Sequence, residues 1–162
     1  MRFVLGFVVM FASGCPAAFE CGGLSKDPPT DVSTGKGFAT RSDGATLNGA
    51  ASWSSGSLGS VDVASLDMGI AKDVTGSDLD TLVSDGAFPI CISLGAPGTN
   101  SQAANLLESP SLESDATHTG NLALVKLNGN ELLGRFQVNM TAANGAKTVN
   151  ITNGEFSATR RQ

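Results

Sequence analysis

Leu132-Leu133-Gly134-Arg135-Phe136-Gln137-Val138-Asn139-Met140-Thr141-Ala142, followed by Asn144-Gly145 and then Val149-Asn150-Ile151, is the stretch that decides the fold. Leu132, Gly134, Phe136, Val138, Met140 and Ala142 share one side of a period-two alternation, the longest such run in the chain. That period places one side of a strand in a core and the other in water. Asn-Gly favours a two-residue hairpin turn. With the turn at Asn144-Gly145, Met140 faces Val149 and Val138 faces Ile151, so the apolar faces of the two strands coincide. Downstream the apolar positions switch from odd (Val149, Ile151) to even (Phe156, Ala158), which predicts a β-bulge at Asn153-Gly154. Without the bulge Phe156 would point to solvent.

Upstream, Asn128-Gly129 repeats the turn signal and predicts a three-stranded meander. A turn there sets Val125 opposite Leu132 and Lys126 opposite Glu131, one apolar pair and one of opposite charge. Further strands are expected at 45–53, at 61–71, where Ala64, Leu66, Met68 and Ile70 alternate with polar or small residues, and at 88–94, with Ile90, Ile92 and Leu94 on one face. Residues 78–83 predict one helical turn capped by Ser77 or Asp78. Residues 95–119 predict a long connection with a short element around 103–107, since structureless loops of that length are uncommon. Abundant Gly, Ser, Thr, Ala and Asn suit short strands and tight turns. The expected class is all-β, an antiparallel β-sandwich, with a small up-and-down or calycin-like β-barrel as the alternative.

At the N-terminus, residues 1–14 put Arg2 before an apolar run that ends in Ala12-Ser13-Gly14, the layout of a signal peptide. The run is well short of the roughly 20 apolar residues that cross a bilayer as a helix. Small residues leading into Cys15 resemble the lipobox of bacterial lipoproteins, in which the cysteine thiol receives a diacylglycerol and becomes the N-terminus. Ala12 stands where such boxes usually carry Leu. The rival is cleavage near Pro16-Ala17-Ala18, which would release a secreted or periplasmic soluble protein. Pro16, where retention at the inner membrane of enteric lipoproteins uses Asp, points to the outer membrane. Residues 15–42, with Cys21-Gly22-Gly23, Asp27-Pro28-Pro29 and Gly35-Lys36-Gly37, read as the lipid attachment site and a flexible tether, leaving 43–162 as one β domain. With Cys15 lipidated, Cys21 and Cys91 remain as an even pair in an oxidising compartment. Either they form a disulfide, or Cys91 is a buried thiol and Cys21 stays unpaired in the tether.

These residues also resemble a family of small bacterial lipoproteins of unknown function built as antiparallel β-sandwiches. The likeness rests on the lipobox, on Leu47-Asn48-Gly49-Ala50-Ala51-Ser52-Trp53, on Gly134-Arg135-Phe136 and on Ile151-Thr152-Asn153-Gly154-Glu155-Phe156. The middle third of the chain has no counterpart in it. The resemblance implies a β-sandwich at the cell envelope and brings no established activity.

The formal charge is −5, and basic residues are scattered apart from Arg160-Arg161, which excludes a basic nucleic-acid groove and electrostatic adhesion to anionic lipid. His118, the one histidine, lies in a polar Asp115-Ala116-Thr117-His118-Thr119 loop and is expected to be solvated rather than part of a nucleophilic triad. Zinc-ligand spacings are absent. Asp73, Asp78, Asp80 and Asp85 cluster, but the stretch lacks the central Gly and closing Glu of a calcium-binding EF-hand and reads as a solvated turn. Neither metal nor cofactor is expected. Trp53, alone and without any Tyr, is a candidate sugar-stacking platform set against the reading that it fills the core. The Asn139-Met140-Thr141 and Asn150-Ile151-Thr152 sequons read as strand residues.

From these features the expected function is a non-enzymatic binding or structural module of an envelope lipoprotein, presenting a surface to a partner protein or an envelope glycan. Two alternatives accompany it. One is a small cell-wall or extracellular hydrolase acting through carboxylates. The other is a carrier of a small apolar ligand in a cavity lined by Phe136, Val138 and Met140.

Overall fold

The computed structural model describes residues 20–55, 58–71, 79–95 and 102–162; residues 1–14 and Cys15, with the export and lipidation readings they carry, lie outside that range. Among the described residues there are ten strands and one short helix: β1 (Lys36–Arg41), β2 (Thr46–Ser54), β3 (Leu58–Val63), β4 (Leu66–Ala71), α1 (Leu79–Ser84), β5 (Ile90–Leu94), β6 (Gln102–Leu106), β7 (Leu112–Glu113), β8 (Gly120–Asn128), β9 (Glu131–Ala142) and β10 (Thr148–Arg160). The all-β class is therefore observed.

The strands belong to one sheet, and its ladder closes. Antiparallel pairing runs β1–β2–β3–β4–β6–β7–β9–β10 and returns from β10 to β1. β8 follows β7 along the same edge of β9, and β5 pairs with β8 as β6 pairs with β7. The chain thus lays down staves in sequence order around an up-and-down barrel, with β5/β6 and β7/β8 as interrupted staves. The leading expectation of two packed sheets gives way to the barrel alternative, because β1 and β10 hydrogen-bond to each other and leave no open edge between first and last strand. One short parallel contact, Thr159↔Ser52 and Arg160↔Trp53, extends β10 past the start of β1.

Inside the barrel the alternate residues of every stave meet in one core that includes Trp53, Phe136, Phe156, Met68, Ile70 and Leu124. The β9–β10 register is as the sequence predicts: Val149↔Met140, Ile151↔Val138, then a shift between Ile151 and Gly154, with Asn153 at φ 52°. That bulge turns Phe156 and Ala158 inward, both fully buried. Across the same two strands Phe156 lies opposite Gly134 and Gly154 opposite Phe136. The two rings pack at 6.3 Å between centroids. A Cβ added at Gly154 would sit 2.6 Å from the Phe136 ring, and one at Gly134 would collide with the Phe156 ring. Each glycine is the space its partner phenylalanine occupies.

Three expectations change. The 61–71 segment is a hairpin rather than one strand, turning at Ala64 (φ 55°) so that Val63 pairs with Leu66. The β8–β9 hairpin is displaced: Asn128 pairs with Glu131, Leu127 with Leu132 and Lys126 with Leu133, with a bulge at Val125. The cause is two-sided burial. Leu122 and Leu124 point into the barrel, while Ala123 and Val125 are buried on its outside with Cys21 and Leu24. The bulge then lets Leu127 pack against the core.

The third change concerns residues expected as tether. Lys36–Arg41 is strand β1, between β2 and β10. Residues 21–35 form a strap across the outside of β8, β9 and β10: Gly22 O accepts from the Gln137 amide, Asp27 O from Arg135 Nε at 3.1 Å, and Gly35 N donates to Ser157 O at 2.7 Å. Cys21 is buried, and its sulfur is bonded to that of Cys91 on β5, closing a loop with a sequence separation of 70.

Two outcomes follow from this packing. Gly154→Ala should destabilise by about 1–3 kcal/mol through overpacking, and Phe136→Leu in the same chain should recover part of the loss, a coupling that a double-mutant cycle in urea measures. Replacing Cys21 and Cys91 together by Ser should lower the unfolding free energy by about 2–4 kcal/mol through the lost loop constraint, measured by denaturant titration against the oxidised parent.

Candidate functional site

The barrel has two mouths and an outer wall. One mouth ends in charge. Arg41 occupies an inward-facing position of β1 at only 8 % exposure, where its guanidinium donates to both Asp43 oxygens (3.0 and 2.6 Å) and to Glu108 (2.7 and 3.3 Å). Lys147 completes the cluster at 2.7 Å from Glu108 and 3.6 Å from Asp43. Hydrogen bonding to Arg41 holds Asp43 down at about 2 and keeps Glu108 below the usual carboxylate range, while Glu108 raises Lys147. The opposite mouth is closed by Trp53. It is buried, its Nε1 donates to Asn130 O at 3.0 Å, and Arg160 lies 5.1 Å over its ring. The α1 residues Leu79 and Val83 add to the core, and Asp80 is 3.0 Å from Arg160. Trp53 is therefore a core residue whose ring is covered, and it offers no platform for a sugar.

The other predicted positions scatter. Asp73 and Asp78 lie outside the described residues, Asp80 is engaged by Arg160, and Asp85 is exposed. Among the described residues no three metal-ligating groups come together. His118 Nδ1 sits 2.9 Å from Asp115 Oδ1, an oxygen that also accepts from the Thr117 hydroxyl (2.8 Å) and from the backbone N–H groups of Thr117 and His118 (2.7 Å each). The Thr117 hydroxyl and N–H, ahead of the smaller contributions, hold Asp115 well below the usual range. This is a capped turn, and the other imidazole nitrogen meets no nucleophile among the described residues. Phe136, Val138 and Met140, named for an apolar ligand, are packed in the filled interior.

The outer wall carries two arrangements that side-chain chemistry alone did not single out. On β8, β9 and β10, Asn121 lies directly opposite Gln137, and Asn139 directly opposite Asn150. Gln137 and Asn139 are two apart on β9 and share a face. With Gly120 and Thr152 these amides line a shallow depression of about 250 Å³ that holds no ionisable side chain. Gly120 is the floor: a Cβ there would run into β9 at Val138. Gln137 donates to Gly22 O, and the side chains of Asn121, Asn139, Asn150 and Thr152 keep their hydrogen-bonding capacity unspent among the described residues. The Asn139–Asn150 pair follows from the turn at Asn144-Gly145 and was legible in the sequence. The Asn121–Gln137 pair depends on the Val125 bulge and was not.

Asp62 and Asp67 form the second arrangement, opposite each other on β3 and β4. Ser60 Oγ is 3.3 Å from Asp62, which also pairs with Arg161. Asp67 is partly buried with Oδ1 unpartnered, and burial pushes its carboxyl up. No protein-family model matches the chain, and neither does any curated protein or solved structure.

The two carboxylate environments predict opposite pH behaviour. Asp43 and Glu108 titrate lower folded than unfolded, so their stabilisation is complete above the ordinary carboxylate pKa of about 4 and is lost as pH falls toward 2. Asp67 titrates higher folded than unfolded, so its ionisation costs stability as pH rises above about 4. Thermal melts should show Glu108→Gln lowering Tm at pH 7 with the effect fading in acid, and Asp67→Asn raising Tm at pH 7 with the effect also fading in acid.

Proposed function

We propose that this chain is a non-enzymatic binding module of a bacterial envelope lipoprotein, held to a membrane through lipid on Cys15, the outer membrane before the inner, and that its binding surface is the amide-lined depression on β8, β9 and β10. The observation that carries the site is the pairing of four side-chain amides across adjacent strands, with no charge in the lining and most of their donors and acceptors unspent. Amides offer both a donor and an acceptor, which matches ligands that present the same mixture: hydroxyl and acetamido groups of an envelope glycan. A shallow, polar, uncharged site on a rigid sheet suits weak recognition rather than sequestration, since buried apolar anchors that dominate tight interfaces are absent from its lining. Uncharged recognition also agrees with the acidic net charge, which would repel phosphate-rich or carboxylate-rich ligands.

A second reading, the carboxylate-dependent hydrolase, is favoured by one observation: Asp67 is pushed up by burial opposite an Asp62 held by Arg161, and paired carboxyls in unlike environments can divide acid and base roles. It is removed if Asp62→Asn and Asp67→Asn leave every measured hydrolytic activity unchanged.

The binding reading is tested by titrating an N-acetylglucosamine oligomer into the isotope-labelled domain and following the side-chain amide resonances. Shifts confined to Asn121, Gln137, Asn139 and Asn150, weakened at least about tenfold in an Asn139→Ala/Asn150→Ala variant that keeps its Tm, are expected. An unmoved amide spectrum at millimolar oligomer, or shifts elsewhere on the barrel, would reject it.

A further inference from the structure

The described chain begins fastened to the barrel. Cys21 is buried, and its sulfur is bonded to Cys91 on the outer face of β5. One residue later, Gly22 O accepts from Gln137, and Gly22 lies so close to Asn121 that any side chain there would collide with the Asn121 amide. Leu24 then packs on Ala123 and Val125, and the strap continues over β9 and β10 to Thr34, whose hydroxyl donates to Glu131 at 2.8 Å, and into β1. A lipid on Cys15 would be six positions from Cys21. Six residues fully extended reach about 20 Å. Were residues 21–35 the free tether that their composition suggests, the step would run from 15 to 36, and its reach would be roughly 70 Å.

We infer that the β5–β8 side of the barrel is apposed to the phospholipid headgroup layer, with the Cys21–Cys91 disulfide and the strap acting as a fixed short mooring; this rests on the lipidation of Cys15 proposed above. Attraction of charge does not hold it there, since the chain is acidic and the near segment carries Glu20 and Asp27 beside a single Lys26. Covalent reach does. The standoff is accordingly insensitive to salt, whereas a surface held by charge would lift as ionic strength rises. Asn121 and Gln137 touch the mooring point itself, so the amide depression begins on the membrane-proximal side, and a glycan that reaches it is one carried in or near the headgroup layer.

The test uses the full-length protein, exported and processed by a bacterial host and reconstituted in phosphatidylethanolamine–phosphatidylglycerol vesicles with a headgroup-linked acceptor dye. A donor dye is placed either at Ser93 on β5 or at Ala50 on β2, three staves away, both exposed. Energy transfer several-fold stronger from position 93 than from 50 is expected, unchanged between about 0.05 and about 0.5 M salt. Insertion of a flexible linker of about 20 residues after Ala18 should abolish the difference. Equal transfer from both positions in the uninserted protein overturns the apposition. Intact mass on the same sample separates the two ideas: equal transfer with a diacylglycerol-bearing Cys15 rejects apposition alone, whereas a mass without lipid rejects the lipoprotein reading and the mooring with it.

Discussion

Two glycines and two phenylalanines hold the barrel's longest ladder in register. On β9 the order is Gly134-Arg135-Phe136, on β10 it is Gly154-Glu155-Phe156, and the strands run antiparallel, so each Phe covers the other strand's Gly and Arg135 meets Glu155 on the outer face. A slip by one residue would turn both rings to water and set Arg135 and Glu155 into the core. A slip by two would drive a ring into a residue with a Cβ. Both failures cost far more than a surface pair contributes, so the register is fixed from inside by shape, with the ion pair as a minor addition. Since β10 also pairs with β1, and β9 with β7 and β8, this one reciprocal fit positions the strands on either side and with them the closing of the barrel.

The bulge at Asn153 is part of the same constraint. The strand must present Val149 and Ile151, then Phe156 and Ala158, to one core. One extra residue changes the parity, and Asn at positive φ tolerates the geometry better than a branched side chain would. The bulge also turns the local twist of β10 just beyond Thr152, the last polar residue of the amide depression. The feature that seats Phe156 inside therefore also shapes the edge of the surface outside.

Local pattern made β9 and β10 legible, because strict alternation, an Asn-Gly turn and a parity switch all depend on neighbours in sequence. β8 was misregistered, by two residues next to the turn and by one beyond the Val125 bulge, because its outside is buried too. The run Leu122-Ala123-Leu124-Val125 carries that signal, a continuous apolar stretch rather than an alternation, which is how strands covered on both faces read. The strap escaped because it buries little apolar surface of its own and is held by backbone carbonyls, a disulfide and side chains far away in the chain. Arg41 escaped for a related reason: an inward-facing arginine is recognisable only when Asp43, Glu108 and Lys147, from three separate loops, are seen to converge on it. The all-β class came from composition and turns, but the choice between sandwich and barrel hinged on whether β1 meets β10, a contact between the first and last strands that no local signal encodes.

Among the described residues the interior is filled and its ends are occupied, one by the Arg41 cluster and one by Trp53 beneath Arg160, so the proposed recognition falls to the outer wall. Most of that wall is unremarkable polar strand surface, yet it is not uniform. On β9 the outward residues pass from Arg135 and Gln137, whose side chains donate to the strap carbonyls of Asp27 and Gly22, to Asn139 and Thr141, which make no hydrogen bond to it. The strap thus divides one strand face into a covered half and an open half, and the amide depression lies at the boundary. A segment whose composition suggests slack is in this fold the element that decides which part of the barrel's surface remains available, and the disulfide at its start fixes where that boundary falls.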